Sequence, residues 1–319
     1  MSSKSFNLFR SLKDIPREER FVSGHRLCAG CSIGPVMRLL TKVVGRDAII
    51  VNATGCLEVS STPYPYTSWM NPWVHIAFEN TGAVASGIET ALRVLKKKGM
   101  LNREIKVVAV GGDGGTVDIG LQALSGMLER GHKVMYVLYD NEAYMNTGIQ
   151  RSGATPYGAR TTTTPAGKVW RGEWRPKKDI IGIVEAHRLP YIATASPAFP
   201  LDMVNKFKKA LEYLDEGPTF VHVLIPCTPG WGYDPSLSIT LARLAVETGV
   251  WVLYEIEKGA FRVTYPVKRR KPVSEYLRHQ ARFKHLTEDE IRRIQEMVDE
   301  EVRRINSIVG KEVIGPVTT

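Results

Sequence analysis

A chain of 319 residues can bury a large core, and 43% hydrophobic against 24% charged residues is the balance of an ordinary globular protein. Its apolar runs fall far short of the roughly 18 consecutive residues a membrane span needs, so no membrane association is expected. The formal net charge of +10 suits nucleic acid, anionic lipid or an acidic protein partner and does not choose among them.

From the N-terminus, Met1 to Arg20 carries no apolar stretch and no small-residue cleavage site, so a cytoplasmic protein is expected. Short β-rich apolar segments then alternate with helical periodicity. The segments are Ala48 to Val51, Ile105 to Val110, Lys133 to Tyr139, Tyr191 to Ala195 and Thr219 to Ile225. That alternation predicts a mostly parallel sheet, and strands so wholly apolar must be covered on both faces, giving a three-layer α/β/α fold. Between the second and third segments, Val117, Leu121, Leu124 and Leu128 fall at helical spacing, and helices are expected near Asn80 to Lys97 and Leu201 to Leu214.

The chain reads as one domain. Residues 1–46 form an N-terminal segment with a cysteine pair, 47–257 an α/β core, and 258–319 a C-terminal extension that starts basic and irregular. In the extension, Thr287-Glu288-Asp289-Glu290 is a capping box. It opens a helix striped by Ile291, Ile294, Val298, Val302, Ile305 and Val309, with Gly310 as its stop. The densest basic runs, Lys168 to Lys178 and Lys268 to Lys271, read as solvated surface or docking patches.

Asp113 stands alone among Gly111, Gly112, Gly114 and Gly115 at the end of the second strand. In open α/β sheets ligands bind outside the carboxyl ends of the strands, where helix N-termini and glycine amides favour phosphate. Asn141 ends the neighbouring strand and can face the same point. One carboxylate, one amide oxygen and the Ala143 carbonyl leave a magnesium ion needing diphosphate oxygens and water, which suits its octahedral hard-oxygen chemistry. The order strand, Gly-Asp-Gly, helix, strand, Asn is the thiamine diphosphate motif; the G-x-G-x-x-G and G-K-[ST] signatures of other phosphate sites are missing.

The four cysteines are Cys28, Cys31, Cys56 and Cys227. Four thiolates make a full ligand set for a [4Fe–4S] cluster or for zinc. A structural zinc site usually joins two local Cys-x-x-Cys knuckles, whereas here one pair is joined by two distant single cysteines that each follow a strand. That spread favours a cluster at the same sheet edge as the cofactor. His25 and His75 read as histidines satisfied by backbone hydrogen bonds, Glu58 and Glu142 are similarly placed near the motif loops, and the aromatics from Tyr64 to Trp73 suit either water exclusion or subunit packing.

Through "GHRLCAGCS", "NATGCLEVSS", "PYTSWMNPWVHIAFENTGAVASG", "GGDGGTVDIGLQALSGMLERGH", "YDNEAYMNTGIQRSGATPYGARTTTTPAGK" and "RHQARFKHL", the sequence resembles the thiamine-binding β subunit of 2-oxoacid:ferredoxin oxidoreductases, most of all the pyruvate type. The resemblance implies one [4Fe–4S] cluster on Cys28, Cys31, Cys56 and Cys227, and Mg²⁺ on Asp113, Asn141 and the carbonyl of Ala143. It implies a thiamine diphosphate lining of Cys56, Gly112, Asp113, Gly114, Gly115, Asn141, Glu142, Ala143, Tyr144 and Asn146, with Asn146 reaching the substrate end. Ile33 stands where some relatives carry a carboxylate, so no polar role is assigned there. Activation of the cofactor takes a glutamate from a pyrimidine-binding domain that this chain is too short to contain. An α subunit is expected to supply it with much of the substrate pocket, alongside γ and ferredoxin-like δ subunits, ferredoxin, coenzyme A and a 2-oxoacid. Two other readings are a non-redox thiamine decarboxylase with structural zinc and a basic nucleic-acid module using Trp170 and Trp174; no nucleic-acid partner is expected on the first reading.

Overall fold

A computed structural model describes residues 6–318; Met1 to Ser5 of the expected N-terminal segment and Thr319 lie outside the described residues. In chain order the elements are α1 (Ile33–Val44), β1 (Ala48–Ala53), α2 (Cys56–Ser61), β2 (Trp73–Ile76), α3 (Thr81–Lys97), β3 (Lys106–Gly112), α4 (Leu121–Glu129) and β4 (Val134–Asp140). They continue with α5 (Ile180–Glu185), β5 (Tyr191–Ala195), α6 (Pro200–Glu212), β6 (Thr219–Leu224), α7 (Ser238–Glu247), β7 (Tyr254–Glu257), β8 (Ala260–Val263), α8 (Val273–Leu277) and α9 (Glu288–Val309).

The strands form one eight-stranded sheet in the order β2-β1-β3-β4-β6-β5-β7-β8. β1 to β6 are mutually parallel, and β7 and β8 close one edge as an antiparallel hairpin. Successive residues of β3 face opposite layers, as the period of a strand requires. Val108 and Val110 pack with Met37 and Leu40 of α1 and Met203 and Phe207 of α6. Val107 and Ala109 pack with Ala85 of α3 and Leu124 and Leu128 of α4. The expected three-layer α/β/α fold with a mostly parallel sheet is therefore present.

The five expected strands all occur, with ends shifted by a residue or two. Three further strands, β2, β7 and β8, carry no continuous apolar run. The hairpin holds Glu255, Glu257 and Arg262, whose charges are tolerated because Lys209 of α6 bridges Glu255 and Glu257 and Arg262 pairs with Glu255. The segment after Lys258 is thus less irregular than its composition suggests: β8 extends the core sheet. Val117 lies in a π-helical turn, Gly114–Ile119, before α4, so the expected single helix is two pieces. The capping box is formed as expected, Thr287 accepting from the Glu290 amide and Glu290 accepting from the Thr287 amide, and Gly310 ends α9 in the left-handed region.

What the topology does for function is simple. Because β1, β3, β4 and β6 are parallel and adjacent, their carboxyl ends meet at one edge, and the segments leaving them hold Cys56, Asp113, Asn141 and Cys227 in spatial order.

Candidate active site

Asp113 caps the π-helical turn after β3 and is buried. Near the end of β3, a Cβ on Gly111 would stand 2.6 Å from both Thr116 Oγ1 and Tyr136 OH, so glycine lets these two hydroxyls pack against the strand. Across the edge, Asn141 follows β4. One terminal atom of its amide lies 2.9 Å from the Ala143 carbonyl oxygen and 3.0 Å from Asp113 Oδ1. With nitrogen at that point the amide donates to both; with oxygen there, three acceptors face one another and need a cation between them. Ser152 Oγ donates to the other Asp113 oxygen at 2.5 Å.

Burial, and then the charge of Asp140, push the Asp113 carboxyl well above the ordinary carboxylate range, against the pull of Ser152 and Lys177. Asp140 goes the other way. Burial opposes its ionisation, but Lys177 and His222 hold its pKa down to about 2, through contacts of 2.9 Å and 2.8 Å. The loop therefore rests on one compensated anion, Asp140, beside a buried carboxyl, Asp113, whose ionisation is opposed.

Cys56, Gly112, Asp113, Gly114, Gly115, Asn141, Ala143, Tyr144 and Asn146 line one cleft at this edge. The glycines hold its floor open: a Cβ on Gly114 would overlap the Tyr144 ring at 2.3 Å, and one on Gly115 would press the Phe78 carbonyl at 3.0 Å. Tyr144 is set by its hydroxyl donating to the Gly114 carbonyl at 3.0 Å. Glu142, expected among the cofactor-lining residues, does not line the cleft. Its backbone is in the left-handed region at φ 69° and its carboxylate points away, accepting from Lys177 at 2.8 Å and Arg282 at 2.6 Å.

The four thiols share one neighbourhood. Gly30, between Cys28 and Cys31, packs so closely on Pro235 that a Cβ would lie 2.4 Å from its carbonyl oxygen. Thr228, next to Cys227, donates to the Ala29 carbonyl at 3.2 Å. Burial, followed by the charges of Cys227, Cys31 and Cys28, pushes the Cys56 thiol up to about 12. Burial does the same for Cys227, to about 12, and Cys31, to about 11. Among the described residues no three His, Cys, Asp or Glu side chains come close enough to hold a single ion. A cleft of about 1450 Å³ has Cys28 and Cys31 on its wall, beside α1 and the N-terminal segment, and is far larger than a small-molecule pocket.

Neither histidine is satisfied by backbone. His75 meets the Thr54 hydroxyl at 2.6 Å, with Glu58 at 3.8 Å, and His25 is exposed and stacked on Phe21. Ile33 packs in the core. The basic runs are not uniform solvated faces: Lys177 serves the buried loop, and Arg270 is buried against Asp299. Sequence reasoning missed Ser152, Lys177, Trp231 and Arg282, all buried or half-buried around the Asn141 loop. A tryptophan, lysine or arginine inside a motif-like segment is the sole signal they give.

Residues 53–223 match the thiamine pyrophosphate enzyme, C-terminal TPP binding domain family. The chain is 60% identical over 284 residues to pyruvate synthase subunit PorB of Methanocaldococcus jannaschii, covering 88% of this chain and 95% of that one. It is 48% identical over 284 residues to ketoisovalerate oxidoreductase subunit VorB of Pyrococcus abyssi, covering 88% and 91%. A solved 2-oxoglutarate:ferredoxin oxidoreductase from Magnetococcus marinus superposes with a TM-score of 0.55 at 21% identity, covering 75% of this chain and 84% of that one, a likeness of fold. Among the described residues no helix is long and apolar enough to cross a membrane.

Proposed function

The chain belongs to the pyruvate synthase subunit PorB family of 2-oxoacid:ferredoxin oxidoreductases, and from that premise we propose that it is the cofactor-carrying β subunit of a pyruvate-specific member. The reaction is pyruvate, coenzyme A and two oxidised ferredoxins giving acetyl-CoA, CO₂, two reduced ferredoxins and a proton, run in either direction. Pyruvate is proposed over branched-chain 2-oxoacids on the 60% identity to a pyruvate synthase subunit; more distant pyruvate synthase and ketoisovalerate subunits stand equal at 48%, so the substrate panel below decides.

The observation that carries the reading is the meeting of Asp113 Oδ1, the Asn141 amide and the Ala143 carbonyl at 2.9 and 3.0 Å. Oxygens bound at neighbouring corners of a Mg²⁺ octahedron, with metal–oxygen distances of 2.0–2.1 Å, stand about 2.9 Å apart. Asp113, Asn141 and Ala143 would hold Mg²⁺, and the backbone of Gly112 to Gly115 the diphosphate, with Tyr144 and Asn146 at the wall. Bound thiamine diphosphate supplies the nucleophile and the electron sink for decarboxylation. This chain binds and orients it: Asp113 and Asn141 fix the diphosphate end, and the glycine floor lets backbone amides approach it.

Cys28, Cys31, Cys56 and Cys227 would hold a [4Fe–4S] cluster, their thiolates favoured over thiols once iron replaces the protons. One local Cys-x-x-Cys pair joined by two distant single cysteines supports a cluster over zinc, whose structural sites usually join two such pairs. Cys56 lies in the lining of the cofactor cleft as well, so cluster and coenzyme would be neighbours. An α subunit would supply the activating glutamate, and γ and ferredoxin-like δ subunits complete a cytoplasmic complex.

Anaerobic assay of the purified complex with pyruvate, 2-oxoisovalerate, 2-oxoglutarate and oxalate, each with coenzyme A and a viologen dye, tests this. Pyruvate is expected to give the highest kcat/KM, from brown protein. Colourless, zinc-loaded protein rejects the redox reading, and a branched-chain optimum moves the substrate.

A further inference from the structure

Arg282, between α8 and α9, touches both the loop after β4 and the loop after β6. Its Nη2 donates to Glu142 Oε2 at 2.6 Å. Its guanidinium carbon stands 3.9 Å from the centroid of the Trp231 ring, and its Nε donates to Gln280 at 2.9 Å. The Trp231 ring nitrogen donates to the Asn141 carbonyl at 2.9 Å, and the Trp231 amide to the Cys227 carbonyl at 2.9 Å. Glu142 sits between Asn141 and Ala143 with its backbone in the left-handed region, held there by the grip of its carboxylate on Arg282 and Lys177 and by backbone hydrogen bonds with Asp140 and Thr155.

We propose that Arg282 is a positioning residue that clamps the Asn141 loop against the Cys227 loop, so that one buried guanidinium fixes the magnesium–diphosphate site and sets the charge environment of the cluster. The inference rests on the proposed cofactors and goes beyond them by assigning their coupling to a side chain from the C-terminal extension. A planar fork suits both the carboxylate and the indole face, and lysine cannot do both. Partners one shell behind metal ligands commonly change metal affinity by 10–100-fold when removed. A cation near a cluster favours its reduced, more negative form, so removing the cation lowers the midpoint potential.

The test uses the whole complex with Arg282→Met and Arg282→Lys, reading Mg²⁺-dependent thiamine diphosphate affinity by titration and the cluster midpoint potential by an EPR-monitored redox titration. Arg282→Met is expected to weaken cofactor binding by about tenfold or more and to lower the potential. Arg282→Lys is expected to keep the potential, because the charge stays, while still losing affinity, because the fork is gone. A wild-type complex with both cofactors and an Arg282→Met variant unchanged in affinity and potential overturns the clamp and leaves the function intact. A wild-type complex that binds neither cofactor overturns the function itself. Should Arg282→Met fail to assemble, the lysine variant decides: unaltered affinity rejects the clamp, and reduced affinity with a retained potential supports it.

Discussion

As the magnesium ligand proposed above, Asp113 would be an anion in a place that opposes one. Burial and Asp140 raise its pKa, so the cation-free folded protein prefers it protonated. A carboxyl raised in the folded state adds stability below its unfolded pKa, and that stability is lost as pH rises through the folded value. On the proposed function a divalent cation would replace the proton and reverse the sign. The Tm gained on adding Mg²⁺ and thiamine diphosphate to the complex is therefore expected to be small at low pH and to grow as pH rises through the Asp113 titration. Asp113→Asn should flatten that slope and remove most of the gain; a pH-independent gain in the parent protein would contradict the assignment. Asp113 and Asn141 were legible in the sequence because glycines and strand ends mark them locally. Lys177 and Arg282 were not, because the carboxylate each serves, that of Glu142, lies 35 and 140 positions away.

At the scale of elements, Gly82 in the first turn of α3 shows packing overruling propensity. Gly to Ala inside a helix gains about 1 kcal/mol by propensity. Here a Cβ would stand 2.6 Å from the Ala123 carbonyl oxygen and 2.8 Å from its carbon, rigid backbone of α4. Forcing a close-packed contact apart costs about 1–3 kcal/mol. Gly82→Ala is therefore expected to lower Tm, and the cofactor affinity with it, since α4 continues the turn that Asp113 caps; a raised Tm would show that α3 can shift freely. The same contrast decides what could be read beforehand. β3, β4 and β6 are mostly apolar because helices cover both faces, and that pattern is readable in a single sequence. β2, β7 and β8 lie toward the sheet edges, carry charge and aromatic residues, and are strands because of neighbours remote in sequence. The π-helical turn at Gly114 is likewise unmarked in the sequence, since Val117, Leu121, Leu124 and Leu128 keep the three- and four-residue spacing of an uninterrupted α-helix.

For the whole molecule, the question is what the cleft lacks. Its wall carries Asp113 and no glutamate, and Asp113 is committed by position to the oxygen set with Asn141 and Ala143. On the proposed function, the proton transfer that activates thiamine would then come from outside this chain. The surface beside the cleft is suited to being covered: the loop between α2, which begins with Cys56, and β2 leaves Tyr64 95%, Tyr66 69% and Met70 61% exposed. Large apolar side chains left bare together mark an interaction face. The isolated chain, reconstituted with iron, is therefore expected to bind Mg²⁺ and thiamine diphosphate weakly and to show no 2-oxoacid-dependent dye reduction. Titrating in the partner that bears the glutamate should restore turnover to a stoichiometric plateau, with amide hydrogen exchange slowing in residues 63–72 over the same range. Turnover by the chain alone would place the missing acid–base group within it, and restored turnover without protection of that loop would move the interface elsewhere.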